Sequence, residues 1–170
     1  MAPMPKEACP GCGLVLEASD GPTHAYIGSS AACWALFGEV IAKEYSDVAY
    51  GRWHQHTVDA YGAQHPGEDG PRQRQSVAVH LIALCLLLEH GRDDPRAMPY
   101  VRQHLAERPA DLPWLSPPSA DWATTVADVA AAATGEEHGR LVRRWAEDVW
   151  DGWSAHHDTV RAWVRATGVA

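Results

Sequence analysis

From residue 31 onward the apolar positions of the chain recur at helical intervals, and before it they do not. Trp34, Phe37, Val40 and Ile41 follow one another at three- and four-residue steps behind the capping residues Ser29 and Ser30, which predicts a helix over 31–45. A second helix is expected over 49–64, opening after Ser46-Asp47 and stopped by Pro66-Gly67. The string HPGEDGP that follows is a loop, because Pro and Gly interrupt it throughout. The third helix, 73–90, ends at Gly91, and its middle, VAVHLIALCLLL, is apolar on every side. A helix of that kind belongs in the centre of a bundle. Asp94-Pro95 pairs a cap with a proline at the first helical position and opens a fourth helix to about residue 107. A fifth is expected over 121–133. The capping box Thr134-Gly135-Glu136-Glu137 starts a last helix reaching to about 167, with a close crossing or kink at Gly152.

Two stretches lack this periodicity. RPADLPWLSPPSAD is irregular and expected to pack Trp114 and Leu115 across the bundle. Residues 1–30 are rich in Pro, Gly and Cys, and within them LVLEA and HAYIG suit two short strands turning at Ser19-Asp20-Gly21-Pro22. The fold class expected is mainly α. A bundle of five to six helices over 31–170 carries an N-terminal zinc knuckle and short β-hairpin over 1–30, the whole forming a single domain.

Composition narrows the partners. The 170 residues carry a formal charge of -8, with arginines scattered among the acids. No basic stripe is present, so nucleic acid is disfavoured as a partner by a repulsive field. The N-terminal residues MAPMPKEACPG lack the apolar core of a signal peptide, and the longest apolar run is too short for a membrane span. A soluble cytoplasmic protein is expected. In a reducing compartment the four cysteines are metal ligands or buried thiols before they are disulfides.

The chemistry begins at CPGCG. A tight Pro-Gly turn presents the thiols of Cys9 and Cys12 from one loop, and Gly13 lets the chain curl around a metal. A tetrahedral zinc needs two more donors. His24, before the expected second strand, and Cys33, in the first turn of the first helix, are the next in line, and the helix N-terminus favours a Cys33 thiolate. Four protein ligands leave no place for water, so the zinc would be structural. The plainer alternative is a reduced surface turn with Cys33 as a core thiol.

A second group lies in the bundle. His80 is the one strongly polar side chain in the apolar middle of the third helix, and burying an imidazole without partners costs about 2 kcal/mol or more. It is satisfied either by a core hydrogen bond or by a metal or catalytic role. The second helix offers His54, Tyr61 and His65 on one face and His56 with Asp59 on an adjacent one, and the last helix offers His156-His157 beside its apolar stripe. His54, Asp59, His80 and His157 from three helices would make an open site for a second divalent metal or for acid–base work, with Tyr61 as a proton donor. Against this stand a solvated face for the second helix and Trp-stacked histidines in the last. No HExxH, ExxH or GxSxG signature accompanies these residues, and Cys85 lies among leucines as a small core side chain.

The strings CPGCG, GPTHAYIGSSAACW, GEVIAKEYSD, HQHTVDAYGAQHPG, QSVAVHLIALCL and HHDTVRAW resemble an uncharacterised bacterial family, a domain of unknown function. The resemblance runs from Cys9 to about Trp163. It implies that Cys9, Cys12, His24, Cys33, His54, Asp59, His65, His80 and His157 occupy motif positions, whereas His56 stands where the family is more often apolar. The expectation taken to the structure is a small zinc-binding enzyme acting on a small-molecule substrate through the His/Asp cluster. Its rival is a non-enzymatic regulatory or interaction module that binds a protein partner through 112–118.

Overall fold

The computed structural model describes residues 4–94, 96–108 and 112–170. Strands β1 (Lys6–Ala8) and β2 (Val15–Glu17) pair antiparallel, Glu7 opposite Leu16. Among the described residues eight α-helices follow: α1 (Ala31–Ser46), α2 (Val48–Gly51), α3 (His54–Gln64), α4 (Pro71–Leu88), α5 (Ala97–Glu107), α6 (Val126–Ala130), α7 (Gly135–Gly152) and α8 (His157–Thr167). The chain is mainly helical with a short hairpin, as the periodicity predicts.

The differences are local and have causes. The hairpin turns at the CPGCG knuckle itself, while HAYIG runs as an irregular segment. The expected 49–64 helix is two, because Asp47 caps α2 by accepting from the Ala49 N–H at 2.8 Å and the axis then breaks at Arg52-Trp53. At that corner Gly51 lies so close to α1 that a Cβ would sit 2.7 Å from the Glu44 carbonyl oxygen. The last helix breaks at Gly152, where a Cβ would meet the Trp122 ring at 2.3 Å, and a 3-10 turn at Ser154–His156 leads into α8. The fifth expected helix shrinks to α6, since the capping box that starts it is Thr125 with Asp128. Of the cap expected for the fourth helix, Pro95 lies outside the described residues, as do 109–111 of the Pro-rich stretch.

α4 is the central helix, with Val77 to Leu86 buried except for half-buried His80, and α3, α5, α7 and α8 pack around it. Trp145 and Trp153 close crossings with their indole N–H groups satisfied. Trp145 donates to Gln64 Oε1 at 3.0 Å, Gln64 donates onward to the Thr124 carbonyl at 2.9 Å, and Trp153 donates to the Ala63 carbonyl at 3.0 Å. Leu112 and Leu115 are buried and Trp114 packs on the same core, so the Pro-rich segment spends its large apolar side chains inside the molecule.

One buried carboxylate ties three helices. Glu44 of α1 is 2% exposed. Its Oε1 accepts from His138 Nε2 of α7 at 2.8 Å and from the Thr57 hydroxyl at 2.5 Å, and its Oε2 accepts from His54 Nδ1 at 3.0 Å. Removing one partner from such a set strands the others without water. Glu44→Ala is therefore expected to lower unfolding stability by about 3 kcal/mol, measured by urea denaturation.

Candidate metal centre and cleft

The knuckle is built by backbone hydrogen bonds before any metal is considered. The Cys9 N–H donates to the Leu14 carbonyl at 2.8 Å, and the Gly13 N–H returns to the Cys9 carbonyl at 2.8 Å, with Gly13 at φ 74°. Cys33 comes from the first turn of α1, where the Ser30 hydroxyl caps its N–H at 3.2 Å. The fourth donor is His65, the residue that ends α3. The ligand atoms of Cys9, Cys12, Cys33 and His65 all lie within 4.8 Å of one another, and all four side chains are buried. Cys12 Sγ is 3.8 Å from Cys33 Sγ, which is 3.6 Å from His65 Nε2.

His65 is oriented for this role. Its Nδ1 lies 2.7 Å from the Tyr61 carbonyl oxygen, which can only accept, so the hydrogen is on Nδ1 and the Nε2 lone pair faces the sulfurs. The Tyr61 ring stacks on the imidazole at 4.0 Å. On the other side Gly11 is required, since a Cβ there would lie 2.5 Å from His65 Cδ2. The Tyr61 hydroxyl in turn donates to Cys33 Sγ at 3.5 Å.

The electrostatics of the donor set suit a cation. Hydrogen bonding from Cys12, then Cys33, holds the Cys9 thiol far below its ordinary range against the opposing burial. Cys12 is driven far above that range by hydrogen bonding with Cys33 and then Cys9, and by burial. Cys33 is pushed up to about 12, because Cys9 and burial outweigh the lowering by Cys12. Unaided, the three thiols cannot ionise together; a divalent cation among them removes that limit. Burial also holds the Tyr61 hydroxyl above its ordinary range, so it stays a donor.

His24, expected as the fourth ligand, is not in this group. Its Nδ1 accepts from the Tyr26 N–H at 3.4 Å, and its ring lies against Tyr26 and Trp34, at 4.4 Å and 5.1 Å between centroids. The segment that carries it is instead tied to the end of α3 by the Gly28 N–H, which donates to the His65 carbonyl at 3.1 Å. The sequence does hold one signal for His65: a histidine immediately before the helix-stopping Pro66-Gly67.

The residues expected in the bundle cluster part ways. Asp59 and His80 come together: Asp59 Oδ1 accepts from His80 Nδ1 at 2.9 Å, and Asp59 Oδ2 accepts from Gln55 Nε2 at 2.9 Å. His54 is taken by Glu44 and by the Tyr45 hydroxyl at 3.2 Å. His157 stacks on Trp150 at 3.9 Å and donates Nε2–H to its carbonyl at 2.8 Å. Tyr61 faces Cys33, and His56 pairs with Asp93 at 2.9 Å. Among the described residues no three metal-ligating side chains that include His54, Asp59, His80 or His157 converge within 4.8 Å, so the expected second metal site does not assemble.

The Asp59–His80 pair borders a cleft of about 850 Å³ between α1, α3, α4, α5 and the segment around residue 26. Asp59 is 3% exposed and below the surface, while His80 lines the wall. The Cδ2–Nε2 edge of His80 lies over Gly62, where a Cβ would approach both atoms to 2.3 Å. Among the described residues Nε2 has no hydrogen-bond partner in the protein. A second recess of about 470 Å³ beside Gly11 and Trp122 is lined by Glu68 but by no His, Cys or Arg, so it offers no acid–base pair.

The fourth cysteine stands apart. Cys85 is buried in α4, and burial, with Glu89 beside it, pushes its thiol up to about 12. Two outcomes are expected. In the metal-loaded protein no thiol reacts promptly with a disulfide reagent, a chelator releases Cys9, Cys12 and Cys33, and Cys85 follows only in denaturant. Metal content falls in His65→Ala and is unchanged in His24→Ala, by elemental analysis.

No curated protein and no solved structure matches the chain. No helix among the described residues is long and apolar enough to cross a membrane. A family model described as "Family of unknown function (DUF5946)" matches residues 7–154, and the chain belongs to that family.

Proposed function

We propose that the chain is a small enzyme, stapled by a structural zinc, that uses Asp59 and His80 as an acid–base pair on a small molecule held in the cleft. Zinc is the metal the spacing favours. A tetrahedral ion with Zn–S near 2.3 Å and Zn–N near 2.0–2.1 Å has edges of about 3.8 Å between sulfurs and about 3.6 Å between sulfur and nitrogen. The Cys12–Cys33 and Cys33–His65 separations are 3.8 Å and 3.6 Å. Three thiolates and an imidazole complete the coordination, so this metal would hold the knuckle, α1 and α3 together and bind no substrate.

The observation that carries the enzymatic reading is the orientation of His80. Asp59 fixes the hydrogen on Nδ1, as a carboxylate does for a catalytic histidine, and Gln55 fixes Asp59. The Nε2 lone pair is left at the cleft, able to take a proton from a bound molecule. The buried Asp59 carboxylate stabilises the imidazolium that forms, and the same nitrogen can return the proton. Tyr61 is committed to the sulfurs, and His54 and His157 have their own partners, so none of them shares this work.

A panel of small-molecule hydrolysis, isomerisation and elimination assays tests the reading. Any turnover found is expected to fall about a hundredfold or more in His80→Gln and in Asp59→Asn, with zinc content unchanged. Gly62→Ala, which pushes a methyl group onto Nε2, is expected to do the same. Turnover that survives His80→Gln, or nitrogen chemical shifts placing the His80 hydrogen on Nε2, sinks the acid–base assignment. A metal other than zinc in the purified protein sinks the staple as described.

A further inference from the structure

The cleft has a charge character opposite to that of the chain. The molecule carries 22 acidic residues against 14 basic ones, yet among the described residues no carboxylate lines this cavity. Two arginines do, Arg72 from the first turn of α4 and Arg102 from α5. Among the described residues neither is held by a carboxylate, whereas Arg74, Arg96, Arg140 and Arg161 each have an acidic partner within 4.0 Å. Two guanidinium groups on the wall of this pocket make a local positive field in an acidic protein. The same cavity is also lined by apolar side chains, Trp34 and Phe37 of α1 with Val58 and Val79. The volume, about 850 Å³, suits a small organic ligand.

Resting on the acid–base reading of this cleft, we infer that its substrate is an organic anion: a carboxylate or phosphate group held by Arg72 and Arg102, with an apolar or aromatic body lying against Trp34 and Phe37. Guanidinium groups bind either oxyanion through paired N–H donors, which fixes one end of the molecule. The apolar wall takes the body, which brings the atoms between the two ends past His80 Nε2.

Isothermal titration of the zinc-loaded protein with 1-naphthoate, 1-naphthyl phosphate and the neutral 1-naphthylmethanol tests this. Either anion is expected to bind at least about tenfold more tightly than the alcohol, and more weakly as salt is raised. Arg72 and Arg102 are exposed, so Arg72→Ala/Arg102→Ala leaves the fold intact. That double variant is expected to remove the anion preference while leaving the affinity for the alcohol unchanged. Preference for carboxylate over phosphate, or the reverse, decides which head group the arginines are built for. Equal affinity for anion and alcohol, an anion preference that survives the double variant, or no binding at all overturns the inference. The same titrations on His80→Gln separate it from the acid–base reading. Anion binding retained there, with no turnover anywhere that depends on His80, keeps the ligand class and discards the chemistry. Turnover of neutral compounds alone, lost in His80→Gln, does the opposite.

Discussion

One hydrogen bond decides what the N-terminal third of the molecule can be. Because the Tyr61 carbonyl takes the Nδ1–H of His65, the other ring nitrogen is a bare lone pair aimed at three sulfurs. Were the tautomer reversed, an N–H would point at the thiol cluster and no metal could join the four donors. The neighbours enforce this state by shape. Tyr61 covers one face of the ring, and Gly11 presses so close to its edge that only a hydrogen atom fits there. The metal centre is thus specified as much by a carbonyl, a phenol and a glycine as by its ligands.

The residue that supplies that carbonyl also joins the two sites. Tyr61 stacks on Phe37 at 3.9 Å, touches Cys33 through its hydroxyl, and forms part of the cleft wall. Within two turns around it, the end of α3 sends Asp59 to His80, Gly62 beneath the same imidazole, and its cap His65 to the sulfurs. α3 is buried along most of its length because it is a wall shared by two chambers. Glu44, with His54, Thr57 and His138, anchors its other end to α1 and α7.

What was legible in the sequence follows the range of the physics that writes it. Helix positions were legible because apolar spacing is local: 31–45 and 73–90 lie close to α1 and α4. The break at Arg52-Trp53 was not, since it follows a close approach between remote segments, Gly51 to Glu44, whereas Gly152 itself marked the place where the last helix breaks against Trp122. The hairpin was displaced because strands of three residues are too short to show alternation. Three of the four clustered donors were legible from CxxC and a cysteine at a helix start. His24 and His65 could be told apart only by where α3 ends in space. The Asp59–His80 pair was half legible: a histidine in an apolar helix must be satisfied, but nothing local says by whom. Glu44 left no trace, for a single acid in an amphipathic helix looks like a solvated one.

The spacing of the four donors along the chain carries a consequence for how the molecule assembles. Cys9 and Cys12 share a turn, and Cys33 follows 21 residues after Cys12, past β2 and an irregular segment, but His65 is 32 residues beyond Cys33 with most of α1 and all of α2 and α3 between. The sulfurs can meet an ion while the chain is barely folded. The imidazole arrives only after α1 and α3 have packed and that loop has closed, with its entropic cost met by the core that forms around Tyr61. A metal captured early would therefore be held by three thiolates and open to exchange, and would be locked when α3 docks. Order of folding, and not affinity alone, sets how firmly such an ion is retained.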